Sequence, residues 1–288
     1  MERELWSLLY CTVRATAQDF SQKYKQIPSW VLVVTLLWAA LHDRPVCWAC
    51  DRWNWTDTSL RPRRLPSPAT MSRRIDGVAV GLLWRAVEQR LRELAARQPV
   101  LLSFLDGKPL PVGGCSKDPD ARYGRGAGVT AKGYKLHAIW SNGVLPETWE
   151  VTALNAHEPT VAKRLIPLLR GTGYMLADGN YDVNALFDVA WRCGYQLVTA
   201  PPKAPPGRRR QSPQRLHSIE MMSRPFGKSL YQQRIAIEAA FGNATTFGGG
   251  LGPLPAWVRG LDRVRTWVWA KLLINAVRQL RNNNLRHL

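Results

Sequence analysis

The chain has 288 residues, 45% of them hydrophobic, enough for one large or two smaller folded domains, which excludes a disordered tail. Its formal net charge is +19 and its pI about 10.4. That imbalance calls for an anionic partner, of which nucleic acid is the commonest and a membrane surface the alternative.

Residues 1–97 read as mostly helical. No secretory signal is visible over the first 20 residues, where Glu2, Arg3, Glu4 and Arg14 interrupt any apolar block. A helix opened by Pro28 runs to about His42. It contains the longest apolar run, Trp30–Leu41, about 12 residues against the roughly 20 needed to span a bilayer, so it reads as a buried helix. A short helix over 45–53 carries Cys47-x-x-Cys50. No second ligand pair follows at the spacing of a structural zinc site, and helix packing explains the two thiols better. The five scattered cysteines (11, 47, 50, 115 and 193) form no disulfide framework and suit a reducing compartment. After a loop, Ser67 and Pro68 start a helix to about Ile75. A long helix over 78–98 shows 3.6-residue periodicity through Val80, Leu83, Trp84, Val87, Leu91 and Leu94.

The texture changes at Pro99. A buried strand over 100–107 ends in Asp106-Gly107, and a Gly-rich polar loop spans 113–133. Alternating segments at 134–141 and 148–154, joined through Asn142-Gly143, predict an antiparallel hairpin. A helix over 158–170, which Pro167 shortens or kinks, precedes a strand over 174–178 ending in Asp178. A helix over 183–194, a strand over 195–200 and a Pro-rich basic loop come next, then helices over 229–245 and 262–283. The expected fold is α/β: a ribonuclease-H-like mixed sheet flanked by helices, with an amino-terminal all-helical domain. The boundary is placed at 98, giving domains 1–98 and 99–288.

Asp106 and Asp178 close two apolar strands, and ligands of α/β sheets collect at the carboxyl ends of strands. Each alone is also what an Asp-Gly turn uses. Together on adjacent strands they repel, and a divalent cation relieves the repulsion; oxygen donors favour Mg²⁺ or Mn²⁺. In "YQQRIAIEAAF" (231–241), Tyr231, Arg234 and Glu238 lie three and four residues apart. Glu238 there is either a solvated acid paired with Arg234 or a third metal ligand. His137 reads as a packing or edge residue of an alternating strand, and His157, before a helix, as its cap or a residue near the site.

These residues resemble the catalytic domain of DDE transposases of the insertion-sequence type. "FLDGKPL" and "LADGNYD" are similar to that family's two Asp motifs. Tyr231, Arg234 and Glu238 match the Tyr-x-x-Arg-x-x-x-Glu part of its signature, but Thr245 stands where the signature has lysine. The likeness covers about 100–285. It implies Asp106, Asp178 and Glu238 as catalytic metal ligands, Mg²⁺ as cofactor with Mn²⁺ able to substitute, and double-stranded DNA as partner. It also implies two-metal phosphoryl transfer that frees 3′ hydroxyls at transposon ends and joins them to target DNA. A homodimer or higher oligomer acting on DNA in the cytoplasm, at the nucleoid, is expected, without a membrane partner. Arg234 and Tyr231 face DNA in this scheme, and Arg259 or Lys271 stand in for the missing lysine.

Basic residues cluster at 203–234, with Arg208, Arg209 and Arg210 at their centre, and again beyond 259. They suit phosphate contacts. "LPSPATMSRRI" resembles a helix-turn-helix recognition region, so Thr70, Ser72, Arg73 and Arg74 are expected on DNA. Two alternatives stay open. One is a non-catalytic DNA-binding protein derived from a transposase, which Thr245 favours. The other is a ribonuclease-H-like nuclease without strand transfer.

Overall fold

A computed structural model of the chain describes residues 2–20, 26–95, 101–126, 128–200, 211–245 and 250–286, with 283–286 described by their backbone alone. Helices α1 (Glu2–Thr16), α2 (Ser29–Leu41), α3 (Val46–Ala49), α4 (Pro68–Arg74) and α5 (Val78–Leu94) precede the first strand. Then come β1 (Leu102–Pro111), β2 (Arg122–Gly126), β3 (Val129–Trp140), β4 (Thr148–Ala153), α6 (Glu158–Leu165), β5 (Gly173–Ala177), α7 (Asn184–Arg192) and β6 (Tyr195–Thr199). Helices α8 (Pro213–Ser223), α9 (Pro225–Gln232), α10 (Ile235–Thr245) and α11 (Leu261–Arg286) follow.

Two compact units result, Met1–Ala96 with Ala244–Leu288 and Arg97–Asn243. The sequence-based boundary at 98 gave all of 99–288 to one domain; in the structure the division also falls inside α10, and α11 packs with α1, α2 and α5. In the helical unit, α2 is the buried helix expected of the apolar run. Among the described residues no helix is long and apolar enough to cross a membrane. Trp38 stacks on Trp55 at 4.9 Å and meets Trp6 edge-on at 4.7 Å. Each indole N–H reaches a backbone carbonyl, Trp6 on Leu60, Trp38 on Asn54 and Trp55 on Ala49, so these amphipathic rings are buried without an unmet donor. Cys50 belongs to this packing. Its thiol donates to the Val46 carbonyl at 3.4 Å, and burial pushes its pKa up to about 11. Lys271 is 1% exposed, and its ammonium donates to the Ala40 carbonyl and the Asp43 carboxylate, both at 2.6 Å.

The second unit is built on a six-stranded mixed sheet in the order β2-β3-β1-β5-β6, with β4 also on β3. β1, β5 and β6 run parallel, and β2, β3 and β4 supply the antiparallel part. This is the ribonuclease-H-like α/β architecture expected from the element order. Its antiparallel share is larger than expected, because the polar stretch read as a loop contains β2 and the start of β3. The glycines there serve close approach rather than a loop. A Cβ at Gly124 would stand 2.6 Å from the Leu154 carbonyl oxygen, and one at Gly133 2.4 Å from that of Leu110. One core lies between the sheet and helices α6 and α7, where Leu105, Ile139, Met175 and Leu197 meet Val161, Leu165, Leu186 and Phe187. Toward α10, Trp140 of β3 meets Phe241 edge-on. The helix predicted over 229–245 is interrupted. Residues 233–234 form a turn between α9 and α10, with Arg234 N–H on Tyr231 O and Ile237 N–H on Arg234 O, and α8 occupies part of what was read as loop.

Candidate active site

Register aligns the two aspartates. The parallel pairing of β1 with β5 ends at Leu105↔Ala177, so Asp106 is the next residue on β1 and Asp178 the first residue after β5. β1 does not end there, as expected from its Asp-Gly; it continues on β3, with Asp106 opposite Ala138. Asp106 Oδ1 accepts from the Gly107 N–H at 2.7 Å. The Asp178 carboxylate caps the turn after β5, accepting from the Asn180 N–H at 2.9 Å and from Asn180 Nδ2 at 3.2 Å.

Burial raises the Asp106 pKa to about 6, helped by the charges of Asp178 and Glu158 and opposed by the Gly107 N–H and the Arg234 guanidinium. Burial also raises Asp178, with Glu158 adding to it and Asn180, Arg234 and Lys135 opposing. Two carboxylates whose protonation is favoured in this way fit the donor chemistry of a divalent cation, which would replace the protons.

The Tyr-Arg-Glu residues divide their roles. Tyr231, near the end of α9, donates its hydroxyl to the Ala177 carbonyl at 3.1 Å, one residue before Asp178. Arg234 lies in the break between α9 and α10, 6.0 Å from the Tyr231 ring centre. Its Nη1 is 4.0 Å from Asp106 Oδ2 and its Nη2 is 3.0 Å from Glu238 Oε1, so one guanidinium straddles both carboxylates. Glu238 stands at 61% side-chain exposure with that arginine as its partner. Among the described residues no group of three or more His, Cys, Asp or Glu is gathered to hold a metal ion. Asp106 and Asp178 therefore fit a cation as they stand, whereas Glu238 is joined to them only through Arg234.

Residues 101–274 match a family model described as Transposase DDE domain. The chain belongs to that family. None of the curated proteins and none of the solved structures compared with it matches. A DDE-domain transposase needs DNA as its partner, and its family generally uses divalent metal ions.

The other residues expected to touch DNA are spread differently. Ser67 caps α4, accepting from the Thr70 N–H at 3.2 Å, while its hydroxyl is 3.0 Å from that of Thr70. Ser72 and Arg73 are exposed on this helix, but Arg74 is half-buried and donates to the Ile27 carbonyl at 2.9 Å. Arg208, Arg209 and Arg210 lie outside the described residues. The cations considered in place of the missing lysine are otherwise engaged, Lys271 on Asp43 and Arg259 on the carbonyls of Pro255 and Val258. His137 is buried on Thr152 Oγ1 at 2.9 Å, and burial lowers its pKa to about 4, so it is a neutral strand residue. His157 precedes α6 with Nδ1 3.1 Å from Thr160 Oγ1.

Sequence reasoning missed a charged pair packed against Gly107, the residue after Asp106. Lys135 of β3 and Glu158 at the start of α6 form an ion pair at 2.5 Å, with 9% and 16% of their side chains exposed. The signal was slight: an acid in the first helical turn, and a lysine inside an alternating strand with no partner visible until β3 and α6 are packed together.

Proposed function

We propose that this transposase binds transposon terminal inverted repeats, cleaves the DNA at the ends and joins the freed 3′ hydroxyls to target DNA. Asp106, Asp178 and Glu238 would hold the divalent metal, Mg²⁺ or Mn²⁺. The ions supply Lewis acidity for in-line phosphoryl transfer, activating the incoming oxygen and stabilising the leaving one. The observation that carries the reading is the common end of the β1–β5 pairing, which sets the two aspartates side by side.

The chain's own residues contribute positioning. Tyr231 ties α9 to the end of β5, which keeps the arginine beside the aspartates. Arg234 suits bidentate binding of a phosphate next to the scissile bond. On metal-free protein it occupies Asp106 and Glu238 instead, and moving to a DNA phosphate would release both carboxylates. Ser72 and Arg73 on α4, with the basic segment containing Arg208, Arg209 and Arg210, supply the contacts to DNA ends, and the active species is a dimer or higher oligomer.

One observation favours a second reading, DNA binding without catalysis: Glu238 is exposed and not gathered with the aspartates, and Thr245 stands in the lysine position. An assay of Mn²⁺-dependent cleavage on DNA carrying the gene's flanking sequences separates the two. Cutting that yields 3′ hydroxyl ends supports the first, and specific binding with no cutting supports the second. Strand joining in the same reaction distinguishes a transposase from a nuclease.

A further inference from the structure

We propose that Trp53 is a DNA contact of the helical unit, stacking its indole on a base while Arg52, Arg61, Arg63 and Arg64 hold flanking phosphates. The proposal adds a second contact to the one read on α4 and rests on the reading that this unit meets DNA.

Trp53 sits on a single 3₁₀ turn, Arg52–Asn54, between α3 and the loop that leads to α4. The other tryptophans of this stretch turn inward: Trp55 is buried and Trp48 half-buried, each stacked on Trp38. Trp53 stands at 94% exposure, whereas the next most exposed aromatic among the described residues, Tyr123, is at 61%. The turn that carries it is firmly built. Asp51 caps it, accepting from the Trp53 N–H at 3.0 Å. Asn54 donates its amide to the Trp48 carbonyl at 2.9 Å, and its own carbonyl accepts from the Trp38 indole. Arg61 Nη1 reaches back to the Arg52 carbonyl at 3.3 Å. Holding a large apolar ring in water on a fixed backbone is a cost that a partner recovers, and the fixed turn lowers the entropy lost when it binds.

The charge around the ring selects that partner. Residues 51–64 hold Arg52, Arg61, Arg63 and Arg64 against Asp51 and Asp57. Asp51 is spent on the cap, and Asp57 is held by Arg3 at 2.9 Å and by Ser59. Arg52, Arg63 and Arg64 are exposed, and among the described residues none of the four arginines is paired with a carboxylate. A second copy of the chain docked symmetrically on this face would set these cations against themselves. DNA instead offers phosphates to the guanidinium groups and a base face to the indole.

The test is fluorescence anisotropy of labelled duplexes, one carrying the gene's flanking sequences and one scrambled, with full-length protein at several salt concentrations. Trp53→Ala is expected to weaken binding at least about fivefold with the salt slope unchanged, because a stacking contact releases no counterions. Trp53→Leu should be as weak, and Trp53→Phe within about threefold of wild type. Arg63→Gln and Arg64→Gln should each lower the slope by about 1. Trp53→Ala should melt with wild type, since it removes an exposed side chain. Unchanged affinity in Trp53→Ala would overturn the proposal, as would full affinity in Trp53→Leu. A shift of Trp53→Ala to smaller species in sedimentation without DNA would make the ring a contact between copies, and overturn it too. Equal wild-type binding to both duplexes would remove end recognition, while the loss in Trp53→Ala on either duplex still decides this proposal.

Discussion

Replacing Asp106 by Asn should stabilise the metal-free protein at neutral pH. The wild-type carboxylate titrates at about 6 in the fold, against an ordinary 3.8, because it is buried beside Asp178 and Glu158. Between those two pH values the folded state keeps a proton that the unfolded state has lost, so stability falls as pH rises. Above about pH 6 the whole cost is present. At about 1.4 kcal/mol per pH unit it comes to about 3 kcal/mol. Asn removes the charge and keeps an oxygen to accept the Gly107 N–H, but gives up the attraction of Arg234 at 4.0 Å. That attraction already lowers the pKa to about 6 and is not subtracted again, so the net gain is about 3 kcal/mol. Urea denaturation in EDTA, followed by tryptophan fluorescence from pH 3.5 to 8, measures it. The difference between variant and wild type should be near zero at the acid end, grow through pH 4–6 and stay level above. A variant less stable than wild type at pH 8, or a difference independent of pH, would refute this account of the site's electrostatics.

Other outcomes follow from the same geometry. Arg234→Gln should lower strand cleavage on the order of 10²-fold, as loss of a charged phosphate clamp does, whereas faster cleavage would make the arginine only a lock on Asp106 and Glu238. Lys271→Ala should cost about 3 kcal/mol of stability, since it opens a buried site and strips Asp43 and the Ala40 carbonyl of a partner, yet leave cleavage per folded molecule unchanged. Lost cleavage in a folded variant would return Lys271 to the active site. Arg73→Ala should reduce the slope of log affinity against log salt for end DNA by about 1, as removal of one phosphate contact does, and an unchanged slope would take α4 off the DNA.

Much of the fold was legible because its signals are local. The periodicity of Val80, Leu83, Trp84, Val87 and Leu91 marks α5, and all five are buried. The apolar runs ending in Asp106 and Asp178 mark the two strands whose parallel pairing aligns the aspartates. β2 was hidden because Arg122–Gly126 is an edge strand without apolar alternation, its Gly124 required by close backbone approach and its Gly126 by the Pro109 ring, which only the folded sheet reveals. The start of α8 was signalled by Ser212 and Pro213 but masked by the basic, Pro-rich sequence before it. Nothing in the local sequence marks the break at Gln233–Arg234, and that break turns an expected continuous helical stripe into an arginine lodged between two acids. Lys135 and Glu158 escaped notice for a different reason. Their pairing comes from the packing of the start of α6 and β3 beside Gly107, which no spacing along the chain encodes.

The central claim, that Asp106 and Asp178 carry metal-dependent chemistry on DNA, is tested most directly by cleavage of DNA bearing the gene's flanking sequences, with Mn²⁺ and purified Asp178→Asn protein. Asp178→Asn keeps most of the capping geometry at Asn180 and removes one metal-binding charge. The account predicts end binding within about twofold of wild type and cleavage reduced by at least about 10³-fold, the scale expected when a catalytic electrostatic group is lost. Cleavage at the wild-type rate would contradict it.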